Sequence, residues 1–450
     1  MKNRLSIFRA FLFFLVSFLF YTCKPASAEY KSEAANPAFL HRSLSQLTDV
    51  IVYDIFSPPV ASRIYAYASI AGYEALLPDF PECRTLAGQL NGLEATPSPE
   101  AGKEYCFPLA SARALLQTGK ALIFSEDKME AFENEILKEF KNIGVPDDVF
   151  ERSVAYGDAV SKHILAWANK DNYKQTRTAP KYTIQDDPGT WKPTPPAYMD
   201  GIEPHWKDIR ALVMDSSMQF APPPPTAFDP DKKSRFFEET MEVYAALKVE
   251  DSLRSERLAI ASFWDCNPYV SHQVGHVMFA TKKITPGGHW MGIARLAAQS
   301  AGKNIMESAE AYVLTSIALM DGFISCWDEK YRSNLIRPET VINAYIDESW
   351  LPALQTPPFP EYTSGHSVIS RAAATALTSL YGDNFSFVDS VEVRFGLPQR
   401  SFPSFYKASE EAAISRLYGG IHYRPAIENG VKQGQKVGDY VVENVKLRKG

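Results

Sequence analysis

The sequence predicts an all-α protein made of two packed helical bundles. Three observations carry this. Apolar residues recur at helical spacing along most of the chain, as in VASRIYAYASIAGYEALL. Almost nothing alternates with period two over a useful length. Proline gathers in the connections, above all between about 173 and 230, where WKPTPP and APPPP exclude a helix interior. With 450 residues, 45% of them hydrophobic, the chain has ample material for a large core or two coupled ones. The net charge of −6 and the absence of any Lys/Arg-rich run exclude a nucleic-acid surface. Any anion site must therefore be a local basic pocket.

The first element is a targeting segment, 1–28. Lys2, Arg4 and Arg9 precede a 12-residue apolar run, Ala10–Tyr21, too short to span a bilayer and suited to a signal-peptide core. Two processing readings stand side by side. Ala26–Ala28 (ASA) fits a signal-peptidase site, and Cys23 in FYTCK fits the lipidated residue of a lipoprotein, giving an outer-membrane lipid anchor. Both export the protein, to the periplasm or the cell surface. Four further cysteines follow: Cys83, Cys106, Cys266 and Cys326. Export permits disulfides. Cys83 and Cys106 flank a Gly/Pro-rich loop and are the expected pair. Cys266 and Cys326 either pair or stay buried as small apolar residues.

An N-terminal helical half, 29–245, continues with MEAFENEILKEFKNIG and with DDVFERSVAYGDAVSKHILAWANK, where Asp147 or Asp148 suits an N-cap. The proline-rich stretch at about 173–230 reads as an ordered surface connection, a cleft wall, or a linker. SRFFEETMEVYAALKV closes this half. The C-terminal half, 246–450, holds SERLAIASFWDCNPY, one or two long helices from Gly292 to Ile336, SVISRAAATALTSLYG and SEEAAISRLYGGIHYR. No internal repeat is visible.

Three short patterns in this half bear chemistry. In KYRSNLIRP, Lys330 and Arg337 lie seven apart, nearly two helical turns, so one helix would present both on one face. In FPEYTSGHSVIS, Ser364, Gly365 and His366 sit where a loop becomes a helix, a place with unpaired N–H groups and a positive dipole end. In SRLYGGIH, Arg416 and His422 flank a Gly-Gly pair. Alone, each pattern describes an ordinary solvated helix face or cap. Together they offer a lysine, two arginines, a hydroxyl, a helix N-terminus and two histidines, the donor set a tetrahedral oxyanion requires. A histidine can ligate or attack its central atom, and a second can move protons.

The order K-x6-R-P, S-G-H, S-R-x5-H resembles the superfamily of vanadium-dependent haloperoxidases and phosphatidate-phosphatase-type acid phosphatases. It is most similar to the bacterial iodoperoxidases. The resemblance implies the two-bundle fold and a vanadate cofactor. It implies that Lys330, Arg337, Ser364, Gly365 and Arg416 hold vanadate oxygens, that His422 ligates the metal, and that His366 is the acid–base residue acting on hydrogen peroxide. Lys330 would also be catalytic. The products would be hypohalous acid from a halide, with iodide favoured. The alternative is an exported acid phosphatase with a histidine nucleophile in the same pocket, and a third reading is a non-catalytic oxyanion-binding lipoprotein. Trp327 and Phe359 occupy positions near the halide approach in this family, and the Trp/Phe combination resembles the chloro- and iodoperoxidase type.

Two departures stand out. The proline that usually precedes Ser-Gly-His is Thr363. The Asp that usually follows the last histidine by four, and orients it, is Ala426. Glu428 is the expected substitute, alongside a carbonyl or water. In FWDCNPY, Asp265 is expected to orient His366, or else to cap a helix end, and Tyr269 to line the entrance. His272 and His276 are spaced to bind a metal but lack the Glu of H-E-x-x-H. His289, in PGGHWMG, is expected on a loop.

Overall fold

The computed structural model describes residues 26–274 and 276–449. The apolar leader and Cys23 lie outside them. The N-terminal helices are α1 (Ala26–Ala34), α2 (Ala38–Tyr53), α3 (Pro58–Leu76), α4 (Phe107–Lys120), α5 (Glu126–Asn142), α6 (Asp147–Ala168) and the single turn α7 (Tyr173–Thr176). There follow α8 (Arg235–Ala245), α9 (Asp251–Phe263), α10 (Pro286–Ser300), α11 (Ile305–Ser333) and α12 (Pro338–Tyr345). The last are α13 (Gly365–Tyr381), α14 (Phe405–Tyr418) and α15 (Arg424–Asn444).

Every residue of α3 is buried, so it is a core helix rather than an amphipathic one. It packs on α4 and α11, and α4 packs on α6. In the second half α13 packs on α11, α14 and α15. The helix α11 thus belongs to both groups. An Asn304/Glu307 capping box starts it, and Asn334 in the left-handed conformation ends it. It is long and apolar enough to cross a membrane, but its apolar stretch is wholly buried in protein. Gly302, at φ +61°, makes the turn that splits the long helical pattern into α10 and α11.

The seam between α13 and α15 is unusually close. A Cβ on Gly434 would lie 2.1 Å from the Val368 carbonyl oxygen, and one on Gly430 3.1 Å from that of Ser364. This approach presses α15 against the start of α13. The proline-rich stretch is an ordered wall, with Trp191 and Trp206 fully buried. The carboxylate of Asp321, mid-way along α11, accepts hydrogen bonds from the amides of Leu212, Val213 and Met214 at 2.7, 2.8 and 3.0 Å. Helix α8 packs on α12, and its Phe236 and Val243 share a cluster with Val341 and Tyr423.

Several expectations need correction. Among the described residues two short antiparallel strand pairs occur, Val270–Val274 with Val277–Thr281 and Phe387–Asp389 with Arg400–Phe402, too brief to register as periodicity. Pro146 occupies the N-cap of α6, and Asp147 and Asp148 sit in its first turn, where they complement the dipole. Cys83 and Cys106 are not paired: all four described cysteines are buried free thiols. Cys83 lies 3.7 Å from the Glu310 carboxylate and Cys106 starts α4, so the two belong to different contacts of the core.

Candidate active site

Lys330 and Arg337 do not share a helix face. Lys330 is in the last turn of α11, and Arg337 is the N-cap of α12 with Pro338 behind it. The chain reverses between them at Asn334, and the two cations still converge. Residues 359–363 form a collar of carbonyls around them. Lys330 Nζ donates to the carbonyls of Pro360, Glu361 and Thr363 at 3.0, 3.1 and 2.6 Å. Arg337 donates from Nε to Phe359 at 2.9 Å and from Nη1 to Ile421 at 2.8 Å. The Phe359 ring lies 4.9 Å from Lys330 Nζ and 5.0 Å from the Arg337 guanidinium carbon, and its centroid is 4.9 Å from that of Trp327. Burial pushes Lys330 down to about 7, and Arg337 to about 10.

Ser364 caps α13, and its own amide donates to the Ala426 carbonyl at 3.0 Å. The amides of Gly365 and His366 open the helix, where the fold supplies no intrahelical acceptor. A Cβ at Gly365 would sit 3.6 Å from the Trp327 ring, in ordinary van der Waals contact. The Thr363 hydroxyl donates to Gln433 at 2.7 Å, and Gln433 in turn bonds Ser325 at 2.9 Å. A side-chain network thus anchors Thr363. Arg416, in the last turn of α14, donates to the Trp264 carbonyl at 2.7 Å. Gly420, at φ +78°, turns the chain toward His422.

His422 is the best-defined group. Its Nε2 lies 3.2 Å from Arg337 Nη1, and its Nδ1 lies 2.8 Å from Glu361 Oε1. A guanidinium only donates, so Nε2 presents a lone pair and Nδ1 carries the proton. Glu361 Oε1 also accepts the Tyr423 amide at 2.9 Å. Burial, with Arg337, Lys330 and Arg416 nearby, holds His422 well below the usual histidine range, so its neutral form prevails. Burial likewise holds His366 well below the usual histidine range, with Arg416 adding to it. His366 Nε2 is buried without a partner.

A cavity of about 170 Å³ opens on this cluster, lined by Gly365, His366, Arg416, His422, Trp327 and Phe359, with Tyr269 also in its wall. Lys330, Arg337 and Ser364 stand behind that lining. The residues fit a tetrahedral oxyanion bound through its central atom. Arg337 Nη2, like His366 Nε2, is buried without a partner, two arginines and a lysine surround the pocket, and His422 Nε2 has the lone pair a metal needs.

Other expected residues fall elsewhere. Glu428 is exposed on α15, 3.9 Å from Arg424, and does not reach His422. Glu361 does, and the pattern-based reading missed it. Asp265 lines the cavity but pairs with Lys283 at 2.6 Å. His272 and His276 are exposed at the first hairpin, with the His272 ring 3.0 Å from the Thr281 hydroxyl. His289 is not on a loop: it is fully buried in α10, 2.8 Å from Asp389.

Fold and site define a helical-bundle protein with a buried pocket whose two arginines, lysine and two histidines suit a tetrahedral oxyanion. Residues 344–449 match the family described as the VCPO second helical-bundle domain. A comparison with curated proteins gave no match. Among solved structures, the chain is similar to one described as the first bacterial vanadium-dependent iodoperoxidase. The two are 52% identical, over 92% of this chain and 98% of that one, with a TM-score of 0.87. Holo- and apo-type bacterial vanadium-dependent chloroperoxidases share the fold at 16% and 15% identity, each over 87% of this chain. They are covered over 93% and 95% of their own lengths, with TM-scores of 0.63 and 0.61. The chain belongs to the vanadium-dependent haloperoxidase family.

Proposed function

We propose that this vanadate-dependent haloperoxidase oxidises iodide with hydrogen peroxide to hypoiodous acid. The carrying observation is the assigned state of His422: neutral, Nδ1–H bound to Glu361, Nε2 lone pair turned toward Arg337. Vanadate, when bound, supplies a Lewis-acid centre that activates hydrogen peroxide without changing oxidation state. His422 would hold it through Nε2. Lys330, Arg337, Arg416, Ser364 and the Gly365 amide would neutralise and orient its oxygens. His366, neutral and with Nε2 unpartnered, takes a proton from hydrogen peroxide and returns it when hypohalous acid leaves. Phosphate fits the same shell, and family membership decides between the two oxyanions.

The preference for iodide is supported by the cavity walls. Trp327, Phe359, Phe323, Ile202, Ile421 and Met199 offer a halide few replacements for its water. Iodide, the largest and least tightly hydrated of the common halides, loses least on entering. The iodoperoxidase named above points the same way. Export to the periplasm or cell surface, as a cleaved or lipid-anchored protein, is part of this reading and rests on the basic and apolar leader.

The test uses protein stripped of oxyanions. Iodide oxidation should appear only with added orthovanadate and be suppressed by excess phosphate. His366→Ala should abolish turnover and keep vanadate binding, and His422→Ala should lose the cofactor. Hydrolysis of p-nitrophenyl phosphate, inhibited by vanadate and unaccompanied by iodide oxidation, would overturn the proposal.

A further inference from the structure

We propose that Cys266, His289 and Glu392 form a second, buried site for a divalent transition-metal ion of the zinc type, distinct from the vanadate pocket. Their donor atoms converge. Cys266 Sγ lies 3.3 Å from His289 Nδ1, Glu392 Oε1 lies 3.1 Å from the same nitrogen, and Sγ and Oε1 are 3.7 Å apart. Zinc–ligand bonds of about 2.3 Å to sulfur and about 2.0–2.1 Å to nitrogen and oxygen, at tetrahedral angles, require edges of about 3.3–3.6 Å. The observed triangle matches those edges closely enough for sub-ångström adjustment to close it. All three residues are buried, with exposures of 1%, 0% and 2%.

The surroundings complete the chemistry. Asp389 accepts from His289 Nε2 at 2.8 Å, so an incoming ion that displaces the Nδ1 proton would meet that lone pair facing Cys266 and Glu392. A carboxylate on the far nitrogen of a ligating histidine is the usual way its tautomer is fixed. One thiolate, one imidazole and one carboxylate suit a borderline-soft ion rather than calcium or magnesium. Cys266 also lines the catalytic cavity, which supplies a route for the ion and a fourth ligand from solvent. The vanadate ligand His422 takes no part in the cluster.

The position gives the site a structural purpose. The Trp264 ring stacks on His289 with centroids 4.7 Å apart, and its carbonyl holds Arg416 at 2.7 Å. An ion here ties the 264–266 segment, α10 and the turn after Asp389 into one support behind Arg416 and His366.

The experiment is elemental analysis of the purified full chain, with vanadium quantified separately, after growth in zinc-replete medium. Close to one zinc-type ion per chain is expected. It should persist in His422→Ala and be lost in Cys266→Ser and His289→Gln. Should those variants fail to fold, refolding the unaltered chain with cobalt(II) provides an independent readout, a thiolate-to-cobalt absorption band. Two results would overturn the proposal. One is a negligible content of divalent metal together with no cobalt–thiolate band, which would leave His289 as an imidazolium bridging Asp389 and Glu392. The other is an ion retained in full by folded Cys266→Ser.

Discussion

Glu361 Oε1 lies 2.8 Å from His422 Nδ1 across a sequence separation of 61 residues, and this contact replaces the aspartate that the family carries at the position of Ala426. The carboxylate also holds the Tyr423 amide, so it fixes the ring and the backbone beside it together.

Removing that carboxylate should loosen the cofactor. Glu361→Ala is expected to weaken vanadate binding roughly 10–100-fold, the usual cost of losing such a partner. Glu361→Gln keeps an acceptor oxygen and should lose less. Titration of stripped protein with vanadate checks the order, and equal affinities in all three proteins would refute the role.

Arg337→Lys should be a severe change despite conserving charge. The guanidinium bonds the carbonyls of Phe359 and Ile421 and contacts His422 at once, which one ammonium cannot reproduce. A loss of at least about 2 kcal/mol in vanadate binding is expected. Affinity within a factor of two of the unaltered protein would contradict it.

Asp321→Ala should destabilise the fold by roughly 2–5 kcal/mol, because the amides of Leu212, Val213 and Met214 lose their acceptor inside the core. A matching fall in the denaturant midpoint is the check.

Gly434→Ala drives a methyl into the Val368 carbonyl and must push α15 off α13. It should cost about 1–3 kcal/mol or more in stability, and should weaken vanadate binding, because Ser364 is held by the Ala426 carbonyl of α15. Unchanged stability would show that the seam gives way more easily than its geometry implies.

His41 predicts a pH dependence. Burial lowers it from an ordinary 6.5 to about 4, and its Nδ1 lies 2.5 Å from the Tyr312 hydroxyl. The unfolded chain binds this proton first as pH falls, so the stabilising contribution is whole above about 6.5 and is lost down to about 4. Relative to His41→Gln, the unaltered protein should lose on the order of 3 kcal/mol between pH 7 and pH 4. Parallel pH profiles of the urea midpoint would exclude this.

The helical class was legible because the long helices α3, α11 and α13 write their burial into composition and spacing. The three motifs come together around one cavity, and residue type alone had marked them as a donor set for a tetrahedral anion. What stayed hidden was contact across distance. Glu361 lies beside the Ser-Gly-His motif in plain view, but nothing local says that it meets His422. Glu428 looked suitable by proximity in sequence and points to solvent. The helical spacing of Lys330 and Arg337 was real, but Asn334 ends the helix between them. Cys83 and Cys106 suggested a disulfide only because loop flanks are visible in sequence and burial is not.

Helix α11 carries Asp321 at its middle and Lys330 near its end, and both groups of helices pack on it. A side chain mounted there cannot be displaced by the breathing of one half alone. Local opening that frees it must break contacts on both sides, so the pocket shares the fate of the whole molecule. The enzyme should keep its geometry through heating until cooperative collapse, with amide exchange along this helix among the slowest in the chain.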